Sequence, residues 1–168
     1  MPVAHALVQA RSDILAAAAQ LSEAEIWIKP GGAASVGFHM LHVPGAIDRL
    51  LTYARGVQQL SDEQRAAVDL ERTAGEFTWH PAGGPVSGTA PTTATTLNAL
   101  VDQQIERALD VVRSTKPRTL TERRLVGRAG LPSTVGGLLF HIAEHSQRHA
   151  GQIITTGKIV RGLRLAAR

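Results

Sequence analysis

Cysteine is absent from all 168 residues. That absence removes disulfides, thiolate-ligated zinc and a protein-borne cysteine nucleophile together. Aromatic residues make up only 4% of the chain. None interleaves with the basic groups Arg118/Arg123/Arg124/Arg128 or Lys158/Arg161/Arg164/Arg168, as a base-stacking platform would require. The net charge of +4 and the pI near 10.3 therefore read as a solvated basic surface, and no nucleic-acid partner is expected. No stretch reaches the ~18–20 consecutive apolar residues of a membrane span, so no membrane partner is expected. The opening MPVAHALVQARSD lacks a basic start followed by an unbroken apolar core, which argues against a signal peptide and for a cytoplasmic protein.

Two further gaps bear on metal chemistry. No Glu-x-x-His occurs anywhere, which excludes the carboxylate-bridged di-iron site of helical bundles. His141-Ile-Ala-Glu144-His145 matches H-x-x-E-H literally, with the glutamate in the place of a general base. After His149, however, there is no Asp or Glu at all, so the acidic third ligand of that motif is missing.

What is present is ample core material, 43% hydrophobic, in a length most economically folded as one domain over 1–168. Residues from about 158 onward form a basic tail. Apolar residues recur at helical spacing over about Val3–Gln20, Val36–Arg55, Thr92–Ser114 and from Pro132 to about Thr156. Ser22 with Glu25 forms a capping box, and Ser35 is placed to cap the second long helix. Lys29-Pro30-Gly31-Gly32 and Lys116-Pro117 act as stops, and Gly157 reads as the residue that ends the last helix. A short extra helix is expected from Ser61 to about Glu71, followed by a long Gly/Pro-rich loop over 73–91. Thr119–Gly130 reads as a basic connector, in part extended. No segment alternates convincingly over strand length. The expected fold class is all-α, a four-helix bundle with a short extra helix and a long loop between helices two and three.

The last helix carries His141, His145 and His149 at intervals of four. Residues so spaced share a helix face, about 5–6 Å apart at Cβ. Each step of four turns about 40° past a full circle, so His141 and His149 lie about 80° apart around the axis. Adjacent pairs can chelate one ion, whereas all three together would be strained. Two pairs compete, His141/His145 and His145/His149, and a third ligand must come from another element, with His42 or His39 of helix two as donors. His5 and His80 have no spaced partner and read as ordinary histidines.

The segments Ser35-Val-Gly-Phe-His39-Met-Leu-His42 and Pro132-Ser-Thr-Val-Gly-Gly-Leu-Leu-Phe-His141, and above all His145-Ser-Gln-Arg148-His149-Ala-Gly151-Gln152-Ile153, resemble those of the DinB-like proteins, a superfamily of metal-dependent helix-bundle enzymes. The resemblance covers most of the chain and implies a divalent metal, zinc or nickel foremost and iron or manganese after them. It implies His42, His145 and His149 as ligands. His39 and His141 would lie one turn away and line the pocket, with Arg148 and Gln152 at its mouth and Glu144 as the carboxylate for proton transfer. It also implies a homodimer, with the Ala-rich first helix as a close-packed interface. Pro44 departs from the usual pattern; it removes the amide that would bond to Met40, so a kink or bulge is expected one turn after His42.

Among relatives of this kind are thiol S-transferases that conjugate low-molecular-weight thiols to small electrophilic substrates. Lacking cysteine, this chain would take its sulfur nucleophile as a cosubstrate. Transfer to a thiol is thus the leading expectation and metal-dependent hydrolysis the alternative. A non-catalytic metal-binding scaffold of a stress response and a bis-histidine haem bundle are further options.

Overall fold

The computed structural model describes residues 2–56, 93–126 and 131–166. The expected short helix at Ser61–Glu71, the loop 73–91 and His80 lie outside the described residues. Helix α1 spans Pro2–Ala18 and buries Leu7, Ala10, Ile14 and Ala18 along one face, the period-3.6 stripe that its leucines and alanines spell out. Its exit is fixed by the expected capping box: the Ser22 amide donates to Glu25 Oε2 at 2.8 Å and the Glu25 amide to Ser22 Oγ at 3.3 Å. Two single-turn 3-10 segments, Glu25–Trp27 and Pro30–Gly32, carry the chain to α2.

Helix α2, Val36–Ala54, starts at Ser35, whose hydroxyl accepts from the Phe38 amide at 3.1 Å. It runs through Pro44 without interruption, and Pro44 is buried in the packed face. Helix two is therefore not ended at Pro44, and the turn carrying His42 belongs to the same element as the residues after it. Helix α3, Ala94–Ser114, is capped by Thr93 and gives way to an extended Thr115 just before Lys116-Pro117.

The last helix departs most from expectation. Leu131–Thr134 is not its first turn but a strand, β2, paired antiparallel with β1, Arg123–Val126, in the register Arg123↔Thr134 to Val126↔Leu131. Helix α4 then runs from Val135 to Ala166, straight through Gly157. Gly157 has no positive φ and is buried, where a Cβ would stand 3.7 Å from Leu21. The helix outlasts its expected stop because Arg161 hydrogen-bonds Gln20 and Arg164 pairs with Glu25 at 3.3 Å, tying the basic end to the turn after α1.

The four helices pack in a ring, α1 against α4, α4 against α2, α2 against α3 and α3 against α1. Inside it lies one continuous apolar cluster that includes Leu7, Ile14, Met40, Ile47, Leu97, Ile105, Ile142 and Ile153. This is the expected all-α bundle, with a two-stranded hairpin added against α2 and α4. No helix among the described residues is long and apolar enough to cross a membrane. The ring order makes the two histidine-bearing helices, α2 and α4, direct neighbours.

Candidate metal centre

Two rungs of histidine cross the α2–α4 seam. His42 Nε2 lies 3.1 Å from His145 Nε2, and His39 Nδ1 lies 3.0 Å from His149 Nδ1. Moving up α2 from 39 to 42 moves down α4 from 149 to 145, so the helices are antiparallel. One turn of each helix separates the rungs, and the four rings form a single stack of contacts. Centroid distances are 4.7 Å for His42–His149, 4.4 Å for His145–His149 and 5.0 Å for His39–His149. Phe38 stacks against His42 with centroids 5.7 Å apart and planes 16° apart.

Within this stack, His42, His145 and His149 each offer a ring nitrogen such that all three lie within 4.8 Å of one another. Two nitrogens bound to one ion at about 2.0–2.1 Å in tetrahedral array stand about 3.3–3.4 Å apart, close to the 3.1 Å seen between His42 and His145. The donor set is therefore of the right type for a divalent ion, and the His42–His145 pair has nearly the right spacing. His149 spends Nδ1 on His39, which leaves Nε2 for the cluster. Ligation through Nε2 would need the Nδ1–H tautomer, with His39 Nδ1 accepting and the His39 proton on Nε2. A hydrogen-bonded outer partner of this sort fixes a ligand's tautomer and ring orientation.

The electrostatics suit a cationic guest. Burial pushes every imidazole in the stack toward the neutral form, and each protonated neighbour would push it further. His149 falls to about 3 and His145 to about 4, in both cases chiefly by desolvation and then by the adjacent histidines. His39 and His42 are lowered for the same first reason, with the Arg49 charge adding to it at His42. At neutral pH the site holds uncharged lone pairs, which is the protonation state a metal requires.

The remaining residues singled out in the sequence fall outside this cluster. His141 is exposed on α4, its Nδ1 3.3 Å from Glu144 Oε2 and its ring 5.9 Å from that of His145. Glu144 is also bound by Arg148, whose side chain lowers its pKa. His141, Glu144 and Arg148 thus form a surface triad beside the site, and Gln152 is exposed one turn further on. His5 is exposed on α1. Two contributors escaped the sequence reading: Phe38, seen only as an apolar member of α2, and Arg49. The i,i+4 and i,i+7 spacings from His42 were the signals that could have found them.

The family profile of the DinB superfamily matches residues 6–153. The chain belongs to the DinB superfamily. Both rungs of this DinB protein lie inside the matched span. Its fold is similar to that of a crystal structure described as the conserved protein of locus from Enterococcus faecalis, with a TM-score of 0.69 and 18% identity, over 95% of each chain. At that identity the likeness concerns the fold alone. No curated protein matches the chain.

Proposed function

We propose that this DinB protein is a divalent-metal-dependent enzyme that joins a low-molecular-weight thiol to a small electrophile, with His42, His145 and His149 as the ligands. The observation that carries the reading is the convergence of three neutral imidazoles from two helices within 4.8 Å. A three-histidine set leaves coordination positions open, as catalytic sites do and structural sites do not. Bound there, zinc or nickel would supply Lewis acidity, lowering the pKa of a thiol or of water.

The choice of thiol over water rests on the base available. Glu144 is the carboxylate nearest the histidines on α4, and its pairing with Arg148 holds its pKa below the ordinary value, which makes it a weak base. A metal held by the three histidines would deprotonate a coordinating thiol outright, whereas bound water would still titrate near ~7 and call on a base. Glu144 is half-exposed and stays ionised, so a released proton would rest on it only in passing to solvent. Phe38 stacks against His42. The metal site itself needs only one copy of the chain, because both rungs belong to it. The site lies in a chain expected to work in the cytoplasm, where reduced thiols persist.

The test is metal content and conjugation measured on the same samples. Purified protein should carry about one zinc or nickel per chain, and His42→Ala, His145→Ala and His149→Ala should each lose it along with thiol conjugation. Conjugation that persists after the metal is stripped would overturn the proposal. Turnover with water but not with thiols would convert it to the hydrolase reading. A Soret band in the purified protein would favour haem instead.

A further inference from the structure

Arg49 sits on α2 seven residues after His42. Seven residues advance about 10.5 Å along the axis and return to within about 20° of the same face. Long helical side chains lean back toward the N-terminus, which carries the Arg49 guanidinium toward the turn of His42.

What sets Arg49 apart among the described residues is its lack of a counter-charge. The other half-buried arginines among them are all satisfied. Arg11 pairs with Glu106 and Asp102, Arg107 with Asp48, Arg124 with Glu122 and the Ala54 carbonyl, and Arg161 with Gln20. Arg49 is half-buried as well, yet among the described residues no carboxylate, amide oxygen or carbonyl accepts from it. The acid next to it in sequence, Asp48, is taken by Arg107, and Glu144 beside the histidines is taken by Arg148 and His141. Desolvation lowers its pKa, and the group acting the other way is the Tyr53 phenol one turn on. A partly desolvated cation without a partner is a cost to the fold.

We infer that Arg49 is the anion-binding residue of the histidine site, taking a carboxylate of the thiol cosubstrate while its sulfur reaches the open side of the cluster. The planar guanidinium fork matches a carboxylate in bidentate fashion, which a lysine would not. The seven-residue offset between Arg49 and His42 along one helix calls for a carboxylate several bonds from the sulfur. This inference rests on the proposed metal site, so the test has one arm that does not depend on it.

In the first arm, full-length protein loaded with cobalt(II) is titrated with 3-mercaptopropionate and with its neutral counterpart 3-mercaptopropanol, following the thiolate-to-cobalt charge-transfer band. Wild type should bind the carboxylate thiol about tenfold or more tightly than the alcohol, the scale of a hydrogen-bonded charge pair. Arg49→Met should abolish that preference and leave the alcohol unchanged. In the second arm, metal-free protein is titrated calorimetrically with propionate, which wild type should bind measurably and Arg49→Met should not. The folded stability of Arg49→Met should equal or exceed wild type, because no internal partner is lost. An undiminished carboxylate preference in Arg49→Met, or a clear loss of its stability, would overturn the assignment. Absence of any thiolate band with propionate binding intact would instead strike the metal–thiol reading and leave Arg49 standing.

Discussion

His39 and His141 each lie one turn from a cluster histidine, yet the structure gives them opposite surroundings. His39 is buried with its Nδ1 against His149, whereas His141 is exposed and paired with Glu144. His39→Ala should weaken metal binding about 10–100-fold while retaining one site per chain, because it frees a ligand's tautomer without removing the ligand. His141→Ala should leave affinity and stoichiometry at wild-type values. Zinc titration against a chelating indicator checks both; retained affinity in His39→Ala together with loss in His141→Ala would invert the assignment. At this scale the four-residue spacing exposed the candidates but not the choice between the overlapping pairs. That choice depends on which face α4 turns toward α2, a tertiary fact. Arg49 was illegible for a similar reason: standing without a counter-charge among the described residues is a property of packing, not of any local pattern.

The start of α2 determines where His39 and His42 stand, and Gly37 is what lets that start pack closely. A Cβ at Gly37 would lie 2.8 Å from the Trp27 ring and 2.9 Å from Ile26, and neither neighbour is a flexible chain end that can swing away. Gly37→Ala should therefore destabilise the fold, since overpacking of about 1–3 kcal/mol exceeds the ~1 kcal/mol that alanine gains over glycine in a helix. Gly151 is the contrast: it lies within α4, and a Cβ added there would meet nothing within 4 Å. Gly151→Ala should raise stability by about 0.5–1 kcal/mol. Urea midpoints of the two variants should move in opposite directions, and a shared direction would refute the packing argument. Local signals served well wherever one residue makes the boundary, as at Ser22, Ser35 and Lys116-Pro117. They failed at α4. Pro132-Ser-Thr looks like a helix start, but its backbone is claimed by Arg123–Val126 across a strand pair. Four-residue strands are too short to show a period of two. Gly157 looks like a stop, but contacts of Arg161 and Arg164 with the turn after α1 hold the helix onward.

Across the whole molecule, the ring order that makes α2 and α4 neighbours also gathers four imidazoles in one partly dry seam, and this ties the stability of the fold to pH. All four have pKa values lowered by folding, to about 4 for His145 and about 3 for His149. In the unfolded chain a histidine titrates near 6.5. Between that value and the folded values the unfolded chain binds more protons than the native one, so unfolding free energy must rise with pH. The stabilisation is fully present above about 6.5 and is lost as pH falls toward 4 and then 3. Carboxylates with lowered pKa, Glu25 and Glu144, add a loss of the same sign only below about 4.5, so the interval from 6.5 to 5 isolates the imidazoles. Metal-stripped protein should show a melting temperature that falls steadily across that interval, and His149→Ala should show a shallower fall. A bound ion stabilises the native state by RT ln(1 + [M]/Kd), about 2.7 kcal/mol at a hundredfold excess over Kd. Protons compete for the same lone pairs, so the gap between zinc-loaded and stripped protein should close as pH drops. A stripped protein whose melting temperature is flat from pH 7 to 5 would show that the seam does not hold its histidines neutral, and the donor set inferred from their geometry would fall with it.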